Sequence, residues 1–462
     1  MQFDSFYFFL TAPAVILVSY LVPGKIRNWF FLLLSLLFCY TFTKTAVLVL
    51  AGFIAITYGF SLILEKKKSK PVLILAWILI GAVLVIYRLA DPLTNTLFHL
   101  PLPVSLAGAI GLSFYTLNAL SYLSDLCSGK IEHRLSFVET ALFLSFFPTV
   151  TSGPLLRAGE FAEEMRKEKP LSYEAVRDGF LILLVGYVMK LVIAGRCALL
   201  VSSVYGNETL RGFPVVLAVI FYSLEIYTDF AGYSLIAKGL ARALGFEIPD
   251  NFRQPYFSSS IKEFWRRWHI SLSSWLRDYV YIPCGGSHGS RLFKYRNLII
   301  TFLVSGFWHG RGLTFLVWGL LHALFQIVED VIASKKKTKP SWSFGAAVLT
   351  FVLVSIAWVF FQSDSVSGAL SVLLRCLSLE HYGDIFTPVI SSWGLDARNW
   401  CFLVIGLLII TAIDAKEYAD SSVKEWYLSL SRPLQLILVW GLVLLVLFSL
   451  NLSGTEFIYM QF

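Results

Sequence analysis

Two histidines and three polar clusters carry the chemistry this chain could do. His309 stands in Ser305-Gly306-Phe307-Trp308-His309-Gly310, within the otherwise apolar run NLIITFLVSGFWHGRGLTFLVWGLLHALF. An ionisable residue inside an apolar segment marks a functional site by default, because burying it costs several kcal/mol. A neutral imidazole in low-dielectric surroundings accepts a hydroxyl proton near physiological pH, the step that acyl transfer to an alcohol needs. Gly306 and Gly310 would admit a substrate or a second backbone. The competing reading is a hydrogen-bonded structural histidine. His322 lies thirteen residues on, about 220° round a continuous helix, so it is expected to be structural.

The second cluster is the stretch 250–283, DNFRQPYFSSSIKEFWRRWHISLSSWLRDYVYIP. Within it Arg266, Arg267, His269, Arg277 and Asp278 crowd between Trp265, Trp268 and Trp275. Helical spacing puts Trp265, Trp268, Leu272, Trp275 and Leu276 on one apolar stripe. Such a helix is either interfacial, with snorkelling arginines, or one wall of a cavity whose guanidinium forks suit phosphate. The third cluster is Glu225 and Asp229, four apart on an apolar helix. They could hold a cation, carry a proton or pair with the arginines, and the favoured expectation is a buried counter-charge to Arg266–Arg277. Cys/His metal spacing, a nucleophile elbow and a phosphate loop are all missing from the sequence, so metal, serine-hydrolase and nucleotidase chemistries lack support.

The elements that must position these residues are set by lipid. The 462 residues are 57% hydrophobic and 15% charged, with a mean hydropathy of +0.70. Soluble domains run at about 45–50% apolar and about 25% charged. A water-soluble enzyme is excluded, and so is disorder, because 39 Phe, 21 Tyr and 13 Trp must be buried. The net charge of +8 is what basic inward-facing loops produce and does not indicate nucleic acid. Six scattered cysteines form no disulfide framework.

Eleven spans are expected: 5–22, 29–43, 46–64, 71–87, 103–123, 175–200, 213–236, 313–333, 343–361, 399–413 and 433–450. Asp4 precedes the first span and Lys25 and Arg27 follow it, the reverse of a cleavable signal, so it is read as retained. Stretches 136–156, 259–284 and 296–311 are apolar but interrupted by Pro148, Gly153, Pro154, Pro283, Gly285, Gly286, Gly306 and Gly310. They are expected to be broken or re-entrant, which is tolerated only where protein or a watery cavity covers the backbone. Loop 157–174 is long enough for a short surface helix. The lysine clusters at 65–70 and 335–340, placed in the cytoplasm, put loop 88–102 and both termini outside. One domain, 1–462, with a motif-bearing core at 213–334, is expected.

The motifs YTDFAGYS, DNFRQPYFSSSIKEFWRRWHISLSSWLRDYVYIPCGG, SGFWHG and WGLLHA resemble the membrane-bound O-acyltransferase family. They are most similar to the bacterial branch with the alginate O-acetyltransferase membrane subunit and the teichoic-acid D-alanylation membrane protein. The opening MQFDSFYFFLTAPAVILVSYLV and the terminal EFIYMQF share that likeness. The resemblance implies an all-α polytopic fold, about eleven transmembrane helices with re-entrant or broken ones around a central tunnel. It makes His309 the general base and His269 the second functional histidine; it does not fix the group that stabilises the oxyanion, for which Trp308, Asn251 and Ser305 are candidates. No bound cofactor or metal is implied. The donor would be acetyl-coenzyme A or an acyl-carrier-protein thioester, drawn to the arginine patch from the cytoplasm. The acceptor would be an extracellular glycan or an exported SGNH-type acetyltransferase. The stretches YSLIAKG and GGSHGS depart from alginate-type members and leave D-alanyl transfer open. A transporter or flippase is the rival from another class, because broken helices and intramembrane charge suit it too.

Overall fold

A computed structural model describes residues 3, 5–93, 111–335, 342–384, 392–419 and 421–450. Asp4, most of loop 88–102, the start of the 103–123 span, Lys336–Pro340 and the terminal EFIYMQF lie outside the described residues. The chain forms two compact units, Met1–Leu183 with Ile236–Pro249, and Leu184–Leu235 with Asp250–Phe462. All the regular elements described are helical, as an apolar solvent demands of a backbone that must satisfy its own hydrogen bonds.

The first unit carries α1 (Phe6–Leu21), α2 (Gly24–Tyr40), α3 (Lys44–Lys66), α4 (Lys70–Leu93), α5 (Leu112–Ser128), α6 (Phe137–Ser145), α7 (Ala158–Arg166) and the start of α8 (Tyr173–Tyr187). In the second unit α8 runs through a π-helical stretch, Val188–Ala194, into α9 (Gly195–Tyr205). Next, α10 (Phe213–Ala243) begins in the second unit and ends in the first. Then follow α11 (Ile261–Arg267), α12 (Ile270–Leu276), α13 (Arg291–His309), α14 (Leu313–Lys335), α15 (Phe344–Gln362), α16 (Val366–Cys376), α17 (Ala397–Tyr418), α18 (Val423–Ser429) and α19 (Arg432–Ser449).

Eight of the described helices are long and apolar enough to cross a membrane, where the sequence pattern suggested eleven. Two of the three missing spans have a physical basis, and the third lies partly outside the described residues. With 16 residues, α1 reaches about 24 Å at 1.5 Å per residue, short of a bilayer core of roughly 30 Å. The first turn of α2 holds Lys25, Arg27 and Asn28, and α5 is described only from its Gly111 cap.

In the first unit Phe31, Phe146, Phe161 and Phe246 pack ring on ring, with centroids 4.9–5.7 Å apart. The irregular stretch 146–156 is buried from end to end. Gly153 is needed within it, since a Cβ there would sit 2.5 Å from the Thr149 Cα. A capping box of Ser136 and Glu139 starts α6, and Glu139 also pairs with Arg166 on α7 at 2.7 Å. The expected surface helix in 157–174 is α7. It buries Phe161, Ala162 and Met165.

In the second unit two expectations are corrected. Stretch 296–311 is broken only at its end: residues 296–309 lie in α13, a regular helix of 19 residues that Gly310 terminates. Gly306 serves close approach instead, because a Cβ on it would meet the Phe315 carbonyl at 2.4 Å, just as one on Gly319 of α14 would meet the Phe302 carbonyl at 2.3 Å. Conversely, the tryptophan stripe does not ride on one helix, because α11 and α12 are separated at Trp268–His269. Replacing Gly319 by Ala should therefore force α13 and α14 apart and cost about 1–3 kcal/mol by overpacking. Thermal unfolding in detergent should show a lower midpoint for this variant, and an unchanged midpoint would contradict the packing described.

Candidate functional site

His269 occupies the break between α11 and α12 in a left-handed backbone conformation, φ 42° and ψ 54°. That conformation is uncommon for a residue with a Cβ and costs about 1–3 kcal/mol, so surrounding structure must impose it. Segment 250–253 supplies the restraint. The Ile270 N–H donates to the Asn251 carbonyl at 2.9 Å, and the Arg253 N–H to the Arg267 carbonyl at 3.0 Å. The Asn251 Oδ1 accepts from the Ser271 hydroxyl at 2.6 Å and its N–H at 3.3 Å. The Asn251 Nδ2 donates to Ser234 Oγ at 3.2 Å. Asn251, Ser234 and Ser271 are all buried, so each bond is made away from water.

His309 is the last residue of α13. Gly310 ends the helix and lets the chain turn against Phe315, whose ring a Cβ would meet at 2.0 Å. The two imidazoles face one another, with ring centroids 6.4 Å apart. Around them the wall is aromatic. Trp308, Trp318 and Phe361 lie 4.8, 5.0 and 5.4 Å from His309, and Phe230 lies 4.6 Å from His269. His309 is 4% exposed and His269 0%. Neither ring nitrogen of His269 meets a hydrogen-bond partner among the described residues. Ser305 Oγ, one turn before His309, is likewise buried and without one. Two imidazoles held in an aromatic enclosure, one of them with both nitrogens unpartnered among the described residues, can take and return a proton of a bound hydroxyl.

His322 belongs to the same cluster. The break at 310–312 between α13 and α14 removes the angle expected for a continuous helix. Trp318 is edged by His309 on one contact and by His322, at 5.1 Å, on another. The Trp265 indole N–H donates to His322 Nδ1 at 3.2 Å, which leaves the proton of a neutral His322 on Nε2. Trp268 is buried against Tyr256, Phe264 and Trp358.

The arginines stand elsewhere. Arg266 and Arg277 are exposed, and Arg277 pairs with Asp278 at 2.8 Å. Arg267 bonds Glu263 at 3.1 Å and lies 4.7 Å above the Tyr418 ring. The expected pairing of Asp229 with these arginines gives way to an ion pair with Lys190 at 2.7 Å, both partners buried. The π-helical stretch carries Lys190, and Gly232 lets α10 approach it, with a would-be Cβ 3.0 Å from the Lys190 nitrogen. Glu225, also buried, has one carboxylate oxygen without a partner among the described residues. Among the described residues, no three of His, Cys, Asp and Glu converge in a metal-holding group.

Sequence reasoning missed Lys190, Trp318, Trp358 and Phe361. A lone lysine inside the 175–200 span was a usable signal. The aromatic residues carried none, since a ring in an apolar span reads as core.

A buried ion pair is costly to break on one side. Lys190→Met should destabilise the protein by about 3–5 kcal/mol, and Lys190→Met with Asp229→Leu should recover most of that. Chemical unfolding of the two variants tests the pair, and additive losses would contradict it. Asn251→Ala should lower stability by about 1–3 kcal/mol and speed amide exchange at 269–271, whereas intact protection there would contradict the clamp.

Comparison with known proteins places this geometry. Residues 31–363, which include both histidines, match the membrane-bound O-acyltransferase family. A probable alginate O-acetylase of Pseudomonas fluorescens is 33% identical over 429 residues, covering 90% of this chain and 81% of the relative. The peptidoglycan O-acetyltransferase of Helicobacter pylori is 31% identical, over 81% of this chain and 79% of the relative. A teichoic acid D-alanyltransferase of Bacillus subtilis is 26% identical, over 70% and 83%. By extent and identity of these matches, the chain belongs to the membrane-bound O-acyltransferase family.

Proposed function

We propose that the chain is an O-acetyltransferase of a bacterial inner membrane, moving an acetyl group from a cytoplasmic thioester to a hydroxyl on the outer side. The observation that carries this reading is the facing pair His269 and His309 in an aromatic enclosure. His309, at a helix end beside glycine, is the general base. The acceptor oxygen attacks the thioester carbonyl as its proton passes to His309. The C–S bond then breaks, and the thiolate takes that proton. His269 faces the same space and holds the acceptor or donor in line with His309.

Acetyl-coenzyme A is the proposed donor. The exposed Arg266 and Arg277 offer guanidinium groups to its phosphates. The acceptor is a cell-envelope polysaccharide or an exported SGNH-type acetyltransferase that completes the modification. Both readings draw on the acetyl-transferring relatives, which are more similar to this chain than the D-alanyltransferase of Bacillus subtilis is. The proposed architecture is a single acyltransferase domain with its motif core at 213–334, helices ringing a central tunnel, and both termini outside.

Purified protein in nanodiscs, given acetyl-coenzyme A and a bacterial envelope extract, should release free thiol. His309→Gln should reduce that release by about 10²–10⁴-fold, the usual worth of a general base. A variant with the wild-type rate would remove His309 from the chemistry, and substrate movement without thioester consumption would favour a transporter.

A further inference from the structure

Acyl transfer needs a donor for the oxygen that gains charge when the hydroxyl attacks. Such a donor is effective when it is fixed in place before reaction and shielded from water. Asn251 and Trp265 are spoken for: the first amide N–H₂ donates to Ser234 and the second indole N–H to His322. Trp318 is different. Its Nε1 is buried with no acceptor among the described residues, and the residue is 0% exposed. An indole nitrogen can only donate, and a buried donor left unmade is destabilising.

The Trp318 ring is also the best-anchored neighbour of His309. It stacks on Trp358 at 5.7 Å and 21°, and meets Trp265 at 5.8 Å, His322 at 5.1 Å and Phe361 at 5.3 Å. Its remaining ring contact of this kind is His309 itself, at 5.0 Å and 82°. Ser305 also has a partnerless hydroxyl, but a hydroxyl rotates and can accept as well as donate, whereas the wedged indole has one direction only.

We propose that the Trp318 Nε1–H is an oxyanion donor of this site, hydrogen-bonding the thioester carbonyl oxygen as the tetrahedral intermediate forms. The assignment rests on the acetyltransferase reading above. As the acceptor oxygen bonds to the carbonyl carbon, the C=O electron pair moves onto that oxygen and the hydroxyl proton moves to His309. When the C=O bond re-forms, the C–S bond breaks and the thiolate leaves with the proton from His309. Trp318 donates most strongly between these two events and neither gains nor loses a proton.

The test is thiol release from acetyl-coenzyme A, with envelope extract, by wild type, Trp318→Phe and His309→Gln in nanodiscs. Trp318→Phe keeps the ring and removes the donor, so kcat should fall about 10²–10³-fold with KM little changed. Because the smaller ring could unseat its neighbours, a second variant carries 3-benzothienylalanine at position 318, which keeps the bicyclic shape and replaces N–H by sulfur. It should show the same loss of kcat. A wild-type kcat in a folded Trp318 variant, beside an inactive His309→Gln, overturns the assignment alone. A wild type that releases no thiol overturns the acetyltransferase reading and this assignment with it.

Discussion

An imidazole that works inside a membrane protein must be kept from water without being tied up by hydrogen bonds. Aromatic rings meet that requirement. They close-pack, exclude solvent and offer few acceptors. In the second unit Trp308, Trp318, Phe361 and Phe230 enclose His269 and His309. Much of the local architecture follows from keeping that enclosure closed while its two nitrogen-bearing rings face each other.

Closure demands short distances between backbones and one unusual turn. Glycines at 306 and 319 bring α13 and α14 together where a methyl group would collide with a carbonyl. Gly310 ends α13 so that His309 stands at its tip. The left-handed His269 has the opposite origin. No glycine relieves it, and hydrogen bonds donated to Asn251 hold the following residues in place. Strain at a site residue is thus balanced by a buried polar clamp. The Lys190–Asp229 pair is a separate requirement, one charge neutralising another where neither meets water.

The sequence made some of this readable and hid the rest. Helical spans were legible because lipid imposes a long apolar run, and the expected limits at 343–361 and 433–450 fall within a residue or two of α15 and α19. The burial of His309 and His269 was legible because polar residues stand out in apolar surroundings. The break at Trp268–His269 was not, since Trp265, Trp268, Leu272 and Trp275 keep the spacing of an unbroken helix. Gly306 misled in the other direction, because glycine serves close approach as readily as it ends a helix, whereas Gly310 does end one. The partner of Asp229 was hidden for another reason. Lys190 lies 39 residues away in sequence, and pairing at that range is decided by packing. Arg266 and Arg277, at a comparable or greater range, are exposed instead.

The central claim is that an acyl group passes from a donor on one side of the membrane to an acceptor on the other through the paired histidines. Sealed proteoliposomes with labelled acetyl-coenzyme A on one side only, and envelope acceptor on the other only, test it directly. The account predicts acetyl label on the acceptor while the coenzyme stays on its own side, with no label when His309 is replaced by Gln. Label that reaches the acceptor only when both substrates share a compartment would contradict it.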